Sequence, residues 1–206
     1  MNITVIGSGN MAGAFVKQLT RAGHQVNVLG RNAAKAHELA GQYGAASGRP
    51  AAGSDIVIVA TPYEAAAAAL RQADLGPGQI VLDITNPLTS DYMGLTIGQS
   101  TSAAEALAAA LPQVRIVKAF NTLLAQVLAE GADFGGGRTV QIFVASDDTH
   151  AKEAVDGLAR SMGFEVVDAG SLRNARYLEP LAGLNVYFAY GAGLGTTITP
   201  AWLHRV

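Results

Sequence analysis

The stretch Ile3-Thr4-Val5-Ile6-Gly7-Ser8-Gly9-Asn10-Met11-Ala12-Gly13 decides the fold class. Its first four residues form a buried-type strand that stops at Gly7. A helical pattern follows, with Met11, Phe15 and Leu19 four apart on one face. Between them, residues 7–12 fit G-x-G-x-x-A. That pattern is weak alone, but after a strand and ahead of a helix it predicts a dinucleotide-binding turn. Gly7 permits the tight turn, Gly9 lets backbone approach a pyrophosphate, and Ala12 with Gly13 lets helix and strand pack closely. The free amides of a helix N-terminus favour phosphate. Gly7, Ser8, Gly9, Asn10 and Met11 are therefore the candidate pyrophosphate ligands.

Working outward, short apolar strands alternate with helical patterns. Strands are predicted at residues 25–29, 56–60, 80–84 and 114–120, with a weak one within 45–53. Helices are predicted over 33–43, 64–72 and 122–129, and another begins after Ser102, which has Glu105 at capping-box spacing. Strands separated by helices require crossovers, so the sheet is parallel. The fold class is α/β, a Rossmann-type doubly wound sheet. The pattern changes at Gly135-Gly136-Gly137, after which strands over 139–145 and 165–168 and helices over 150–162 and 175–190 follow. This divides the chain into a nucleotide-binding domain, 1–136, and a small α/β C-terminal lobe, 137–206.

Composition narrows the function. The 206 residues carry 14 Lys+Arg and 16 Asp+Glu, net charge −2, so no broad basic face exists for a nucleic-acid backbone. With no cysteine, thiolate nucleophiles, disulfides and Cys-based metal sites are excluded. No apolar run reaches the roughly 18 residues of a membrane helix. The N-terminus goes straight to a strand pattern without a basic region and apolar segment, so a cytoplasmic protein without a cleaved leader is expected. The four histidines, His24, His37, His150 and His204, read as surface residues without metal spacing, and no metal is expected.

The end of the second strand selects the dinucleotide. An NAD site presents an acid there for the ribose 2′-hydroxyl. This chain reads Val28-Leu29-Gly30-Arg31-Asn32, with Lys35 one helical turn on. Cations at a helix start are poorly placed unless an anion lies between them. Arg31 and Lys35 thus predict a 2′-phosphate, and NADP(H) over NAD(H).

Other strand tips converge on the same crevice. They carry Thr61, Pro62 and Tyr63, then Asn86, then Lys118, Phe120 and Asn121. Thr61, Asn86 and Asn121 suit a ribose or carboxamide, and Tyr63 and Phe120 suit packing on flat rings. No acid–base dyad or activated nucleophile accompanies them. Hydride transfer between two flat rings needs mainly positioning, whereas reducing an imine or ketone needs a proton donor, for which Tyr63 and Lys118 are the candidates. A non-catalytic NADP(H)-binding redox sensor is the other alternative.

Taken together, Ile6-Gly7-Ser8-Gly9-Asn10-Met11-Ala12-Gly13, Gly30-Arg31-Asn32, Asp83-Ile84-Thr85-Asn86-Pro87-Leu88, Lys118-Ala119-Phe120-Asn121-Thr122 and Ala175-Arg176-Tyr177-Leu178-Glu179 resemble the coenzyme F420-dependent NADP oxidoreductase family. The nucleotide domains of membrane ferric reductases look similar. The resemblance implies NADP binding through Ser8, Gly30, Arg31 and Lys35, and a nicotinamide pocket near Thr61, Pro62 and Asn86. It also implies a small-molecule redox acceptor, coenzyme F420 or a flavin, and a homodimer. At Gly30 the chain departs from several relatives, which carry Ser or Thr there.

Overall fold

The computed structural model describes residues 1–203 and 205; the tail histidine His204 lies outside the described residues. Strand β1 (Asn2–Ile6) passes through the glycine turn into α1 (Asn10–Arg21). Then come β2 (Gln25–Leu29), α2 (Ala33–Gln42), a two-residue β3 (Ala46–Ser47), β4 (Ile56–Val59), α3 (Tyr63–Gln72), β5 (Ile80–Asp83), α4 (Ala103–Ala110), β6 (Arg115–Lys118) and α5 (Ala125–Glu130). The six strands pair in the order β3-β2-β1-β4-β5-β6, parallel throughout. Chain direction across the sheet reverses between β1 and β4. That switch opens a crevice at the carboxyl ends of the central strands, where ligands bind in this architecture.

Burial on both faces explains why β4 reads as an unbroken apolar run. On one face Ile3, Val5, Ile56, Ile58 and Leu82 pack with Phe15 and Leu19 of α1 and Leu128 of α5. On the other, Ile6, Val57, Val59 and Val81 meet Leu70 of α3 and Leu107 of α4. Helices therefore cover both faces, which makes the sheet doubly wound. Ser102 caps α4 as its spacing predicts, accepting from the Glu105 amide at 3.2 Å.

Beyond α5, the triple glycine forms the tip of a hairpin, β7 (Asp133–Gly135) with β8 (Arg138–Thr139). Gly135, Gly136 and Gly137 all take positive φ, which a glycine run allows. Strand β9 (Gln141–Val144) pairs in parallel with β10 (Glu165–Asp168), linked by α6 (Thr149–Ser161). One antiparallel bridge, Lys118 to Ala145, joins the end of β6 to the end of β9. Helix α7 (Ala175–Val186) follows a 3-10 turn at Leu172–Asn174 and runs on into a π turn at Tyr187–Gly191. Ile142, Val155 and Phe164 from this last part share one hydrophobic core with Ile3, Val5 and Phe15.

One sequence reading needs correction. Phe120 does not face the crevice. It is fully buried, its ring edge-on to Phe15 at 5.1 Å and to Phe164 at 5.7 Å between centroids. Its φ of +59° ends β6 early and delays α5 to Ala125. His24 lies at the surface, as its sequence position predicts, partly covered: its ring contacts Ser161 Oγ at 2.8 Å and the Met1 amino group at 3.3 Å. Burial, then the nearby N-terminal charge, lower its pKa.

Candidate functional site

The glycine turn is built as its sequence predicts. Gly7 has φ +143°, its amide donates to the Leu29 carbonyl at 2.7 Å, and a Cβ there would lie 2.3 Å from the Ala60 oxygen. The turn is thus pressed against the β4 tip and tolerates no side chain. Gly9 is the opposite case: a Cβ there would meet nothing within 4 Å. It caps α1 without any side-chain hydrogen bond, and the first turn of α1 holds no acid. The amides of Asn10, Met11 and Ala12 therefore keep their donors for an anion.

At the tip of β2, Arg31 and Lys35 are both exposed, and neither joins an ion pair among the described residues. Asn32 caps α2 by accepting from the Lys35 amide at 3.1 Å, which fixes the two cations on one short turn. A Cβ on Gly30 would lie 3.8 Å from Ser8 Oγ, so Ser8 and the residue-30 backbone stand side by side. The donors and the open cradle fit a dinucleotide carrying a 2′-phosphate.

The remaining tips form the other half of the crevice. Thr61 is half-buried, Pro62 is exposed and caps α3, and Tyr63 is the half-buried first residue of α3. Asn86 and Asn121 clasp one another across the tips of β5 and β6. Asn86 Nδ2 donates to the Asn121 carbonyl at 2.8 Å, and Asn121 Nδ2 donates to Asn86 Oδ1 at 3.0 Å and to the Leu178 carbonyl at 3.0 Å. Asn121 Oδ1, Thr85 Oγ1 and Thr122 Oγ1 are buried here without a hydrogen-bond partner. The structure thus groups Gly7, Ser8, Gly9, Asn10, Met11, Gly30, Arg31 and Lys35 along one wall. Thr61, Pro62, Tyr63, Asn86 and Asn121 sit on the neighbouring strand ends.

Beneath those ends lies a cluster that sequence reasoning missed. Lys118 is 0 % exposed. Its Nζ donates to Asp83 Oδ2 at 2.8 Å, to the Thr85 carbonyl at 2.6 Å, and lies 2.9 Å from Glu179 Oε1. Its three N–H bonds are all used, so it has no proton to offer a substrate, and the acid role considered for it has no route to a ligand. The Glu179 carboxylate also accepts from the amides of Ala103 and Ala104, at 2.8 and 3.1 Å, and so covers the N-terminus of α4. Attraction to the two carboxylates outweighs burial and holds the Lys118 pKa up. A signal existed: Asp83 and Lys118 end adjacent apolar strands at paired positions. Tyr63 feels the same cluster. Burial, then Glu179, then Asp83 raise its pKa, which makes it a weaker acid.

An apolar cavity of about 410 Å³ sits elsewhere, lined by Phe143, Val167, Tyr177, Leu178 and Trp202 among others and by none of the predicted site residues. Its lining is mostly apolar, with Asn174 among it, and carries no cation for a phosphate.

Residues 2–87 match the family described as NADP oxidoreductase, coenzyme F420-dependent. A candidate F420-dependent NADP-reductase of Arthrobacter sp. FB24 is 27% identical and superposes with a TM-score of 0.81, covering 95% of this chain and 96% of that one. A hypothetical protein of Sinorhizobium meliloti is 29% identical at a TM-score of 0.76, covering 84% and 86%. Metalloreductase STEAP3 of Rattus norvegicus is 30% identical over 181 residues; these are 87% of this chain but 36% of that protein, so the chain spans about a third of its relative. Imine reductase from Pseudomonas sp., at 20% identity, shares the fold alone.

Proposed function

From the premise that this chain belongs to the family of coenzyme F420-dependent NADP oxidoreductases, we propose that it passes hydride between NADP(H) and a flat redox acceptor, coenzyme F420 or a flavin. The observation that carries the nucleotide half is the β2 tip, where Arg31 and Lys35 stand exposed and without carboxylate partners beside an uncapped helix N-terminus. The first-turn amides of α1, with Gly7, Ser8, Gly9, Asn10 and Met11, hold the pyrophosphate. Arg31 forks onto the 2′-phosphate and Lys35 adds charge. When bound, the nicotinamide supplies the hydride chemistry. Thr61, Pro62 and Tyr63 wall its site, and the Asn86–Asn121 clasp fixes the floor.

Support for a flat acceptor comes from what the tips offer. Lys118 is sealed in, and burial with the nearby carboxylates raises the Tyr63 pKa, which makes its hydroxyl a weaker proton donor. Transfer between stacked rings needs positioning more than a proton donor. We further propose that the acceptor site is completed in a homodimer, through the exposed Tyr177 and Leu184 of α7 and Tyr187 and Tyr190 of the π turn that follows it.

Anaerobic NADPH oxidation with F420, FMN and ferric citrate offered in turn tests this reading. Turnover with F420 or FMN is the expected result, with a rate nearly independent of pH. Tight NADPH binding without turnover on any acceptor would make the protein a sensor. Turnover confined to imines or ketones would restore Tyr63 as an acid.

A further inference from the structure

The Asp83–Lys118–Glu179 cluster lies behind the strand tips and is buried. Each hydrogen bond or ion pair that its carboxylates make is to a donor: the Lys118 ammonium and the amides of Thr85, Ala103 and Ala104. A protonated carboxyl would need an acceptor of its own, and none is present among these contacts. Two carboxylates against one ammonium leave a net negative charge in the protein interior. The N-terminus of α4 offsets part of it, but no second cation reaches it among the described ion pairs. The Lys118 ammonium is bonded to the Thr85 carbonyl, directly before Asn86. Tyr63, on the opposite tip, is close enough for both carboxylates to act on its hydroxyl. The cluster therefore lies directly behind the β5 tip, and at Tyr63 the two carboxylates outweigh the opposing Lys118 charge.

We infer that this buried net charge biases the bound nucleotide toward its oxidised form, and so favours, within the bound complex, hydride transfer from NADPH to the acceptor. The inference rests on the NADP(H) reading of the crevice and adds a sign to it. Reduced nicotinamide is uncharged. Giving up hydride, one proton with two electrons, leaves the ring with one positive charge, while the acceptor ring gains that hydride. A negative charge held in low dielectric stabilises the cationic ring and does little for the neutral one. A unit charge within about 10 Å at an effective dielectric of about 20 changes relative affinity by about tenfold. Asp83 and Glu179 act through their field without touching the nucleotide, and Lys118 holds the two together.

The test compares dissociation constants of NADP+ and NADPH for the unmodified protein, Glu179→Gln and Asp83→Asn, with Asp156→Asn on the exposed face of α6 as control. The unmodified protein is expected to bind NADP+ about tenfold more tightly than NADPH. Each neutralising variant should lose most of that preference by weakening NADP+ alone, and Asp156→Asn should retain it. Equal weakening of both nucleotides would reduce the cluster to a structural role and overturn the inference. So would tighter NADPH than NADP+ on the unmodified protein, a comparison that holds even if a variant does not fold. Absence of saturable binding of either nucleotide to the unmodified protein would instead strike the NADP(H) reading itself.

Discussion

Two turns in this molecule leave the ends of parallel strands with left-handed backbone, and they are stabilised in opposite ways. After β1, Gly7 takes φ +143° because nothing larger fits against the Ala60 carbonyl. The turn needs no packing of its own and leaves an open cradle. After β6, Phe120 takes φ +59°, an unfavourable region for a bulky residue. Its ring is gripped between Phe15 and Phe164, and that packing holds the backbone in place. Composition makes one turn and tertiary contact makes the other. The first yields space for a ligand, and the second directs Asn121 toward Asn86.

Substitutions separate the two cases. Phe120→Ala should have the largest effect on stability, about 3–5 kcal/mol by urea denaturation, because a buried aromatic is lost from the centre of the core. Gly7→Ala should cost at least about 1 kcal/mol of stability but abolish measurable NADPH binding in a fluorescence titration. A Gly7→Ala protein that still binds normally would remove the distinction between the turns. Arg31→Ala should spare the fold and weaken NADPH by about 10- to 100-fold, the value of a charge-assisted hydrogen bond, with NADH little changed. Equal losses for both nucleotides would sink the 2′-phosphate assignment.

The smallest expected effect lies in the packing behind the second turn. Glu105 pairs with Arg176 through two contacts, at 2.7 and 2.8 Å, tying α4 to α7. That pairing, with help from Ser102, holds the Glu105 carboxyl below the usual carboxylate range. Its folded-state pKa is lower than its unfolded value of about 4.3, so its stabilisation is fully present above that value. It is lost as pH falls through the lowered folded pKa. Glu105→Gln should therefore destabilise the protein by up to about 1 kcal/mol near neutrality. The gap should close in urea melts at progressively lower pH.

The same contrast marks what the sequence could reveal. The turn at Gly7, the apolar strands and the Ser102 cap were legible because neighbouring residues determine them. The placement of Arg31 and Lys35 on one turn at the β2 tip follows from the sequence as well, since the strand end and the Asn32 cap are local features. Phe120 was misplaced because a strand-end aromatic looks alike whether it faces a crevice or a core. Only Phe15 and Phe164, remote in sequence, settle it. Glu179 was invisible as a partner of Lys118 for the same reason, since α7 must fold back over α4 before the two meet. The triple glycine read as a boundary, and the structure makes it a hairpin tip, because a glycine run specifies a bend without specifying what lies beyond it.

The Phe15–Phe120–Phe164 stack also has a consequence for synthesis. A chain leaving the ribosome presents Phe15 first, Phe120 much later and Phe164 later still. Until β10 has emerged, the strained turn after β6 lacks one of its two aromatic supports, and the shared core remains open on that side. The nascent β1–β6 sheet must therefore wait, incompletely covered, for the last part of the message to be translated.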